Sequence, residues 1–221
     1  MSLPFLDIHT HQSTQESDVL AIRSFSLSDN FDAQYEGNAI SIGLHPWETN
    51  DYNLDESMQF LFKFAQQDRV KMIGECGLDR LKGKPLPEQM DILAKQILLA
   101  EELHKPVILH CVRAFSELIA LKRKLMPTVP LIIHGFTKNE ILAQQLIDNG
   151  FYISFGAAVL KNNKSVAKLV QELDIFFLET DDSEFSIKEI YQQTANLRNC
   201  TIDELKALIF ANWKKLKLIT I

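Results

Sequence analysis

A chain of 221 residues has the length of one domain and can bury a substantial core, so residues 1–221 are expected to form a single domain. With 46% hydrophobic and 24% charged residues, the composition excludes a disordered or fibrous chain. A net charge of −6 argues against a wide electropositive face wrapped by nucleic acid, although a local basic rim stays compatible with it.

The opening MSLPFLDIHTH lacks the basic segment and apolar stretch of a signal peptide. No apolar run approaches the roughly 18 residues of a membrane span. A cytoplasmic protein without a membrane partner is the expectation, and no obligate protein partner is evident. Cys76, Cys111 and Cys200 are odd in number and show no close pairing, which points away from a disulfide framework.

In chain order, apolar runs predict strands over 3–9, 19–25, 39–43, 70–75, 106–110, 130–134, 151–155 and 174–179. Several are unbroken Val, Ile, Leu and Phe runs of the kind found where both sheet faces are covered. Between the later strands lie helix candidates such as 87–104, where Met90, Leu93, Ile97, Ala100 and Leu103 recur at three- and four-residue spacing. Alternating strands and helices predict a TIM-type (β/α) barrel, whose chemistry sits at the carboxyl ends of its strands. The amino-terminal third fits less well. Only QSTQESD separates His11 from the next strand, and 26–38 is a poor helix, so the barrel is expected to be distorted or incomplete there, with shortened crossovers.

Five of the six histidines end apolar runs: His9 and His11 in FLDIHTH, His45 in AISIGLHPW, His110 in VILHC and His134 in LIIHG. Two further runs end on acid, MIGE at Glu75 and IFFLETD at Asp181. Imidazole and carboxylate are the usual ligands of divalent ions, so these positions predict a metal site. Along a strand, Asp7, His9 and His11 share one face, with the two imidazoles roughly 7 Å apart. Asp7 lies one step deeper, where it would brace a ligand. Glu75 stands between Gly74 and the Cys76-Gly77 pair; a buried carboxylate is costly unless something such as a cation compensates it. Asp181 is the candidate base, since a carboxylate beside a metal can take the proton of an activated water. Parity sets Glu179 with Asp181 and leaves Asp182 the weaker candidate. Cys76 and Cys111 read as packing residues, and the Lys122-Arg123-Lys124 and Lys214-Lys215-Lys217 runs as solvated helix faces.

The order DxHxH, GLHPW, GECGLD, a Gln-containing helix ending in KPVILHC, HGF, ETD and a late Asn212 resembles the TatD family of metal-dependent deoxyribonucleases among the amidohydrolase-like barrels. The match runs from about residue 5 to 216. The resemblance implies one or two divalent ions (Zn, Mn or Mg), with His9, His11, Glu75 and Asp181 around one, and Glu75, His110 and His134 around the other. Glu75 would bridge them. It implies phosphodiester hydrolysis on a DNA substrate, as a 3′→5′ exonuclease or an endonuclease. His45 and Arg113 resemble residues placed near the substrate, although the Arg113 spacing is one residue longer than the common form. Asp79 matches the GLD aspartate, as an orienting hydrogen-bond acceptor.

The chain departs from the family pattern at Asp182-Ser183, where a proline often follows, at Arg80-Leu81, and in a shortened segment before the last helix. Rim loops choose the substrate while the ligand cluster sets the chemistry. Two alternatives therefore stand beside the nuclease: a hydrolase of a small phosphoester, lactone or amide, and a non-catalytic metal-bound scaffold.

Overall fold

The structure is a computed structural model of the chain and describes residues 3–13, 16–27, 39–49, 53–161 and 163–219. The poor helix expected within 26–38 lies outside the described residues from 28 onwards. The strands are β1 (Phe5–Thr10), β2 (Val19–Ser26), β3 (Ile40–Gly43), β4 (Val70–Asp79), β5 (Val107–Val112), β6 (Leu131–Ile133), β7 (Phe151–Phe155) and β8 (Phe177–Leu178). The helices are α1 (Leu54–Ala65), α2 (Leu86–Leu103), α3 (Phe115–Leu125), α4 (Glu140–Asp148), α5 (Lys164–Glu172), α6 (Ile187–Arg198) and α7 (Ile202–Lys215). The chain divides into two compact units, Met1–Arg23 with His134–Ile221, and Ser24–Ile133.

In the first unit, β1 pairs in parallel with β2, Phe5 opposite Val19 and Asp7 opposite Ala21. No helix occurs among the described residues of 11–18, in keeping with the shortened crossover. Leu6 and Ile8 are fully buried, and so is His9 between them and the strand end, as expected of a strand covered on both faces. Tyr191 of α6 closes on β1: its hydroxyl accepts from Leu6 N at 3.1 Å and donates to Leu6 O at 3.2 Å. Capping boxes start α6 at Ser186 with Glu189 and α7 at Thr201 with Glu204, satisfying amides that a helix start leaves open.

The strand expected over 174–179 is only the two residues of β8, parallel to β7. Its approach is held otherwise. Asn212 of α7 donates its side-chain amide to Asp174 O at 3.2 Å and Phe176 O at 3.1 Å, so a side chain takes carbonyls that a strand would have used. Beyond β8 an isolated parallel bridge joins Asp181 to Thr10 at the end of β1, with Asp181 N donating to His9 O at 2.9 Å and His11 N donating to Asp181 O at 3.3 Å.

In the second unit, β3, β4, β5 and β6 pair successively in parallel. β4 runs to Asp79, beyond the expected 70–75, because its pairing with β5 resumes at Cys76 opposite Leu109 and continues to Asp79 opposite Val112. The register shifts at Gly74-Glu75. Gly74 adopts φ 126°, and a Cβ there would lie 2.4 Å from Ile108 O, so only glycine lets the strands approach at this irregularity. Leu93, Ile97 and Ala100 of α2 are buried as their spacing predicts, and the helix ends at His104 in the left-handed region, φ 53°.

Candidate metal centre

In the first unit, β1 presents His9 and His11 at its carboxyl end with ring centroids 5.1 Å apart, nearer than simple alternation implies. Asp181 Oδ1 lies 3.6 Å from His9 Nε2 and 3.6 Å from His11 Nε2. These separations exceed a hydrogen bond. Two ligands about 2.1 Å from a tetrahedral ion are themselves about 3.4 Å apart, so the spacing suits a shared cation. His134 follows β6, its ring centroid 4.5 Å from that of His9 and its Nδ1 3.6 Å from Glu179 Oε1. The donor atoms of His9, His11 and Asp181 lie within 4.8 Å of one another, as do those of His134, Glu179 and Asp181.

Beneath this cluster Asp7 is a buried acceptor. Its carboxylate receives Thr180 Oγ1 at 2.7 Å, Thr180 N at 3.1 Å and His9 N at 3.3 Å. It thus fixes the backbone at His9 and immediately before Asp181. Burial, opposed by the Thr180 hydrogen bonds and helped by the nearby Glu179 charge, pushes the Asp7 carboxyl up to about 7.

In the second unit the groups join directly. Glu75 Oε1 lies 3.0 Å from His110 Nδ1 and 3.1 Å from His45 Nε2, and His110 Nε2 lies 3.3 Å from Asp79 Oδ2. His45 Nδ1 accepts the Trp47 amide at 3.2 Å, so Nε2 carries the proton and donates to Glu75. Trp47 Nε1 donates to Asp79 Oδ2 at 2.6 Å, and Leu81 N to Asp79 Oδ1 at 2.8 Å. Burial would raise the Asp79 carboxyl, but hydrogen bonds from Trp47, Leu81 and His110 more than offset it and hold the group below its ordinary range.

Two glutamines of α2 place this chain of contacts. Gln96 clamps the residue before His45, accepting from Leu44 N at 2.8 Å and donating to Leu44 O at 3.1 Å. Gln89 does the same for Asp79, accepting from its N at 2.7 Å and donating to its O at 2.9 Å. They lie seven residues apart on one helix face, a pattern visible in the sequence but assigned no role there. Glu179 and Trp47 stand in the ETD and HPW motifs, but their residue types alone give them no role there; their contacts in the fold bring them to these clusters. Arg113 is exposed just after β5 at φ 52°, and its carbonyl accepts from Arg80 Nε at 2.7 Å. Its guanidinium has no place in the imidazole–carboxylate chain. Cys76 is buried, its Sγ 3.9 Å from Ile108 O, as a packing residue should be.

The chain matches the crystal structure of YJJV, a TatD homologue from Escherichia coli k12, with a TM-score of 0.84 and 21% identity over 98% of each chain. A TatD-family hydrolase from Entamoeba histolytica matches with a TM-score of 0.78 and 15% identity, again over 98% of each chain. These likenesses establish the fold, an α/β barrel of the TIM type. Imidazoles and carboxylates at the carboxyl ends of its strands are the equipment of a metal-dependent hydrolase. The family model described as TatD related DNase matches residues 20–217, and the chain belongs to that family. It is 28% identical over 212 residues to the metal-dependent hydrolase YabD of Bacillus subtilis, spanning 88% of this chain and 81% of the relative. It is 32% identical over 175 residues to the 3'-5' ssDNA/RNA exonuclease TatD of Cronobacter sakazakii, spanning 76% of this chain and 66% of the relative.

Proposed function

We propose that this hydrolase cleaves phosphodiester bonds of DNA, removing nucleotides from the 3′ end, with one or two divalent ions of the Zn, Mn or Mg type. The observation that carries the reading is the triangle of His9, His11 and Asp181, whose 3.6 Å spacings fit donors shared by one ion. The name of the Cronobacter relative supports the substrate. His9, His11 and Asp181 would hold one ion, and the family resemblance implies Glu75, His110 and His134 as further ligands; a bound ion would lower the pKa of water and stabilise charge on the phosphoryl oxygens.

Asp181 takes the water's proton. Its side chain is 38% exposed whereas Glu179 is fully buried, so within that unit's cluster Asp181 is the carboxylate that meets solvent and substrate. Asp7 positions it by holding Thr180. The test is cleavage of end-labelled single-stranded DNA by metal-stripped protein resupplied with Mg²⁺, Mn²⁺ or Zn²⁺, beside Asp181→Asn. Ion-dependent shortening from the 3′ end, lost in the variant, is the expected result. No cleavage by folded, metal-loaded wild type overturns it. The net charge of −6 favours a small phosphoester as the second reading, which a panel of such esters tests in the same preparation.

A further inference from the structure

Trp47 is 45% exposed, yet its ring is held on several sides. Its Nε1 is committed to Asp79 at 2.6 Å, and it packs in T-shaped fashion with the His45 and His110 rings at centroid distances of 4.8 and 5.6 Å. Pro46 begins the 3₁₀ turn that carries it, and His45 caps that turn. Large exposed side chains elsewhere, such as Phe60, Met126 and Ile141, lack such polar anchoring to an imidazole–carboxylate cluster. An indole fixed by its edge while much of its surface stays open is preorganised to bind something flat.

The loop after β4, Arg80-Leu81-Lys82-Gly83-Lys84, brings positive charge to this ring. Lys82 Nζ lies 3.6 Å from the Trp47 ring centroid. The loop is built to stay there. Gly83 has φ 81°, and a Cβ there would come 1.9 Å from Pro46 O, so loop and turn pack backbone against backbone. Thr49 Oγ1 donates to Pro46 O at 2.8 Å and accepts from Lys84 N at 3.2 Å. The buried Gln89 amide gathers Lys82 O at 2.8 Å and Lys84 O at 2.6 Å. Lys82 is exposed, and an ammonium on a four-carbon stem can exchange a ring for a phosphate.

We infer that Trp47 and Lys82 form a subsite for one nucleotide of a single-stranded polynucleotide: the base stacks on the indole, and the Lys82 ammonium pairs with the adjoining phosphate. The inference rests on the polynucleotide reading above and adds a substrate-contacting residue to it. Aromatic stacking accepts every base, so this subsite confers preference for a base-bearing strand over an abasic one and little preference among sequences. It also gives an acidic chain a local means of holding a polyanion.

The test uses the full chain, as purified, with phosphorothioate single-stranded oligonucleotides that resist cleavage, each paired with an abasic counterpart. Affinity is measured by fluorescence anisotropy and indole contact by tryptophan emission. Wild type is expected to bind the base-bearing strand about 5- to 100-fold more tightly and to change its emission on binding. Trp47→Leu should lose that preference and the emission change. Trp47→Phe keeps a stacking face but not the bond to Asp79, so it should retain most of the preference; a merely structural Trp47 would make Phe fail with Leu. Lys82→Ala should shallow the salt dependence of binding by about one phosphate contact.

Equal preference in Trp47→Leu and wild type overturns the subsite. DNA cleavage with unchanged base preference in Trp47→Leu leaves the nuclease and removes the subsite. Trp47-dependent, base-selective binding with no cleavage leaves the subsite and removes the hydrolysis reading. No oligonucleotide binding at all removes the subsite, whatever the enzyme hydrolyses.

Discussion

His9, His11 and Asp181 in one unit, and His45, Glu75, His110 and Asp79 in the other, are built from the same two residue types but spaced differently. In the first, imidazole nitrogens stand 3.6 Å from a carboxylate oxygen; in the second, 3.0 to 3.3 Å. The longer spacing exceeds a hydrogen bond and matches the edge expected between two ligands of one ion, and the shorter is a hydrogen bond already made. The lesson is that ligand-type residues at strand ends do not all have the same task. A triangle of donors at the wider spacing suits a shared ion under the proposed reading, whereas the hydrogen-bonded chain would have to give up protons or contacts to accept one.

The largest effect is expected at Asp181. Asp181→Asn should lower turnover about 10²- to 10⁴-fold with the fold retained, checked by steady-state rates and circular dichroism. A near-normal rate would transfer the base role elsewhere.

The metal contrast comes next. His9→Ala should weaken metal affinity at least about 10- to 100-fold, the range seen when residues one step beyond the ligands are changed. His45→Ala should change it much less, because the His45 ring nitrogens are occupied by Trp47 N and Glu75. Calorimetric titration of stripped protein with Zn²⁺ or Mn²⁺ measures both, and equal losses would erase the distinction between open and bonded clusters.

The two buried aspartates should respond to pH in opposite senses in metal-stripped protein. Asp7 is raised from 3.8 to about 7, so its contribution is complete below about pH 4 and is lost as pH rises through 7. The slope is up to about 1.4 kcal/mol per pH unit. Asp79 is lowered, so its contribution is present above its ordinary value of 3.8 and lost as pH falls through the folded value. Denaturant melts of Asp7→Asn and Asp79→Asn from about pH 2 to 8 check this, Asp7 over the range between about 4 and 7 and Asp79 below its ordinary value of 3.8; parallel profiles would contradict the opposed environments. The smallest effect is at the helix supporting β8, where Asn212→Ala should cost about 1 to 3 kcal/mol by leaving the Asp174 and Phe176 carbonyls short of a donor, read from the same melts.

Much of this was legible in the chain itself. Apolar runs that end in His, Glu or Asp determined the strands and the residue types at their ends, because a parallel strand covered on both faces must be apolar until it reaches the rim. The three- and four-residue spacing in 87–104 foretold α2 almost to its ends. Tertiary structure decided the rest. β8 starts only at Phe177, and the carbonyl of Phe176 just before it is taken by Asn212, 36 residues away in sequence. Asp181 has φ 54° and so escapes strand parity, the rule by which sequence would have aimed it. Trp47 entered the site through one hydrogen bond to Asp79, 32 residues further on. Periodicity reports which face a residue shares with its neighbours. Which nitrogen meets which oxygen, and whether 3.0 or 3.6 Å separates them, depends on packing between distant segments, and that distance separates a hydrogen bond from a spacing that suits two ligands of one ion.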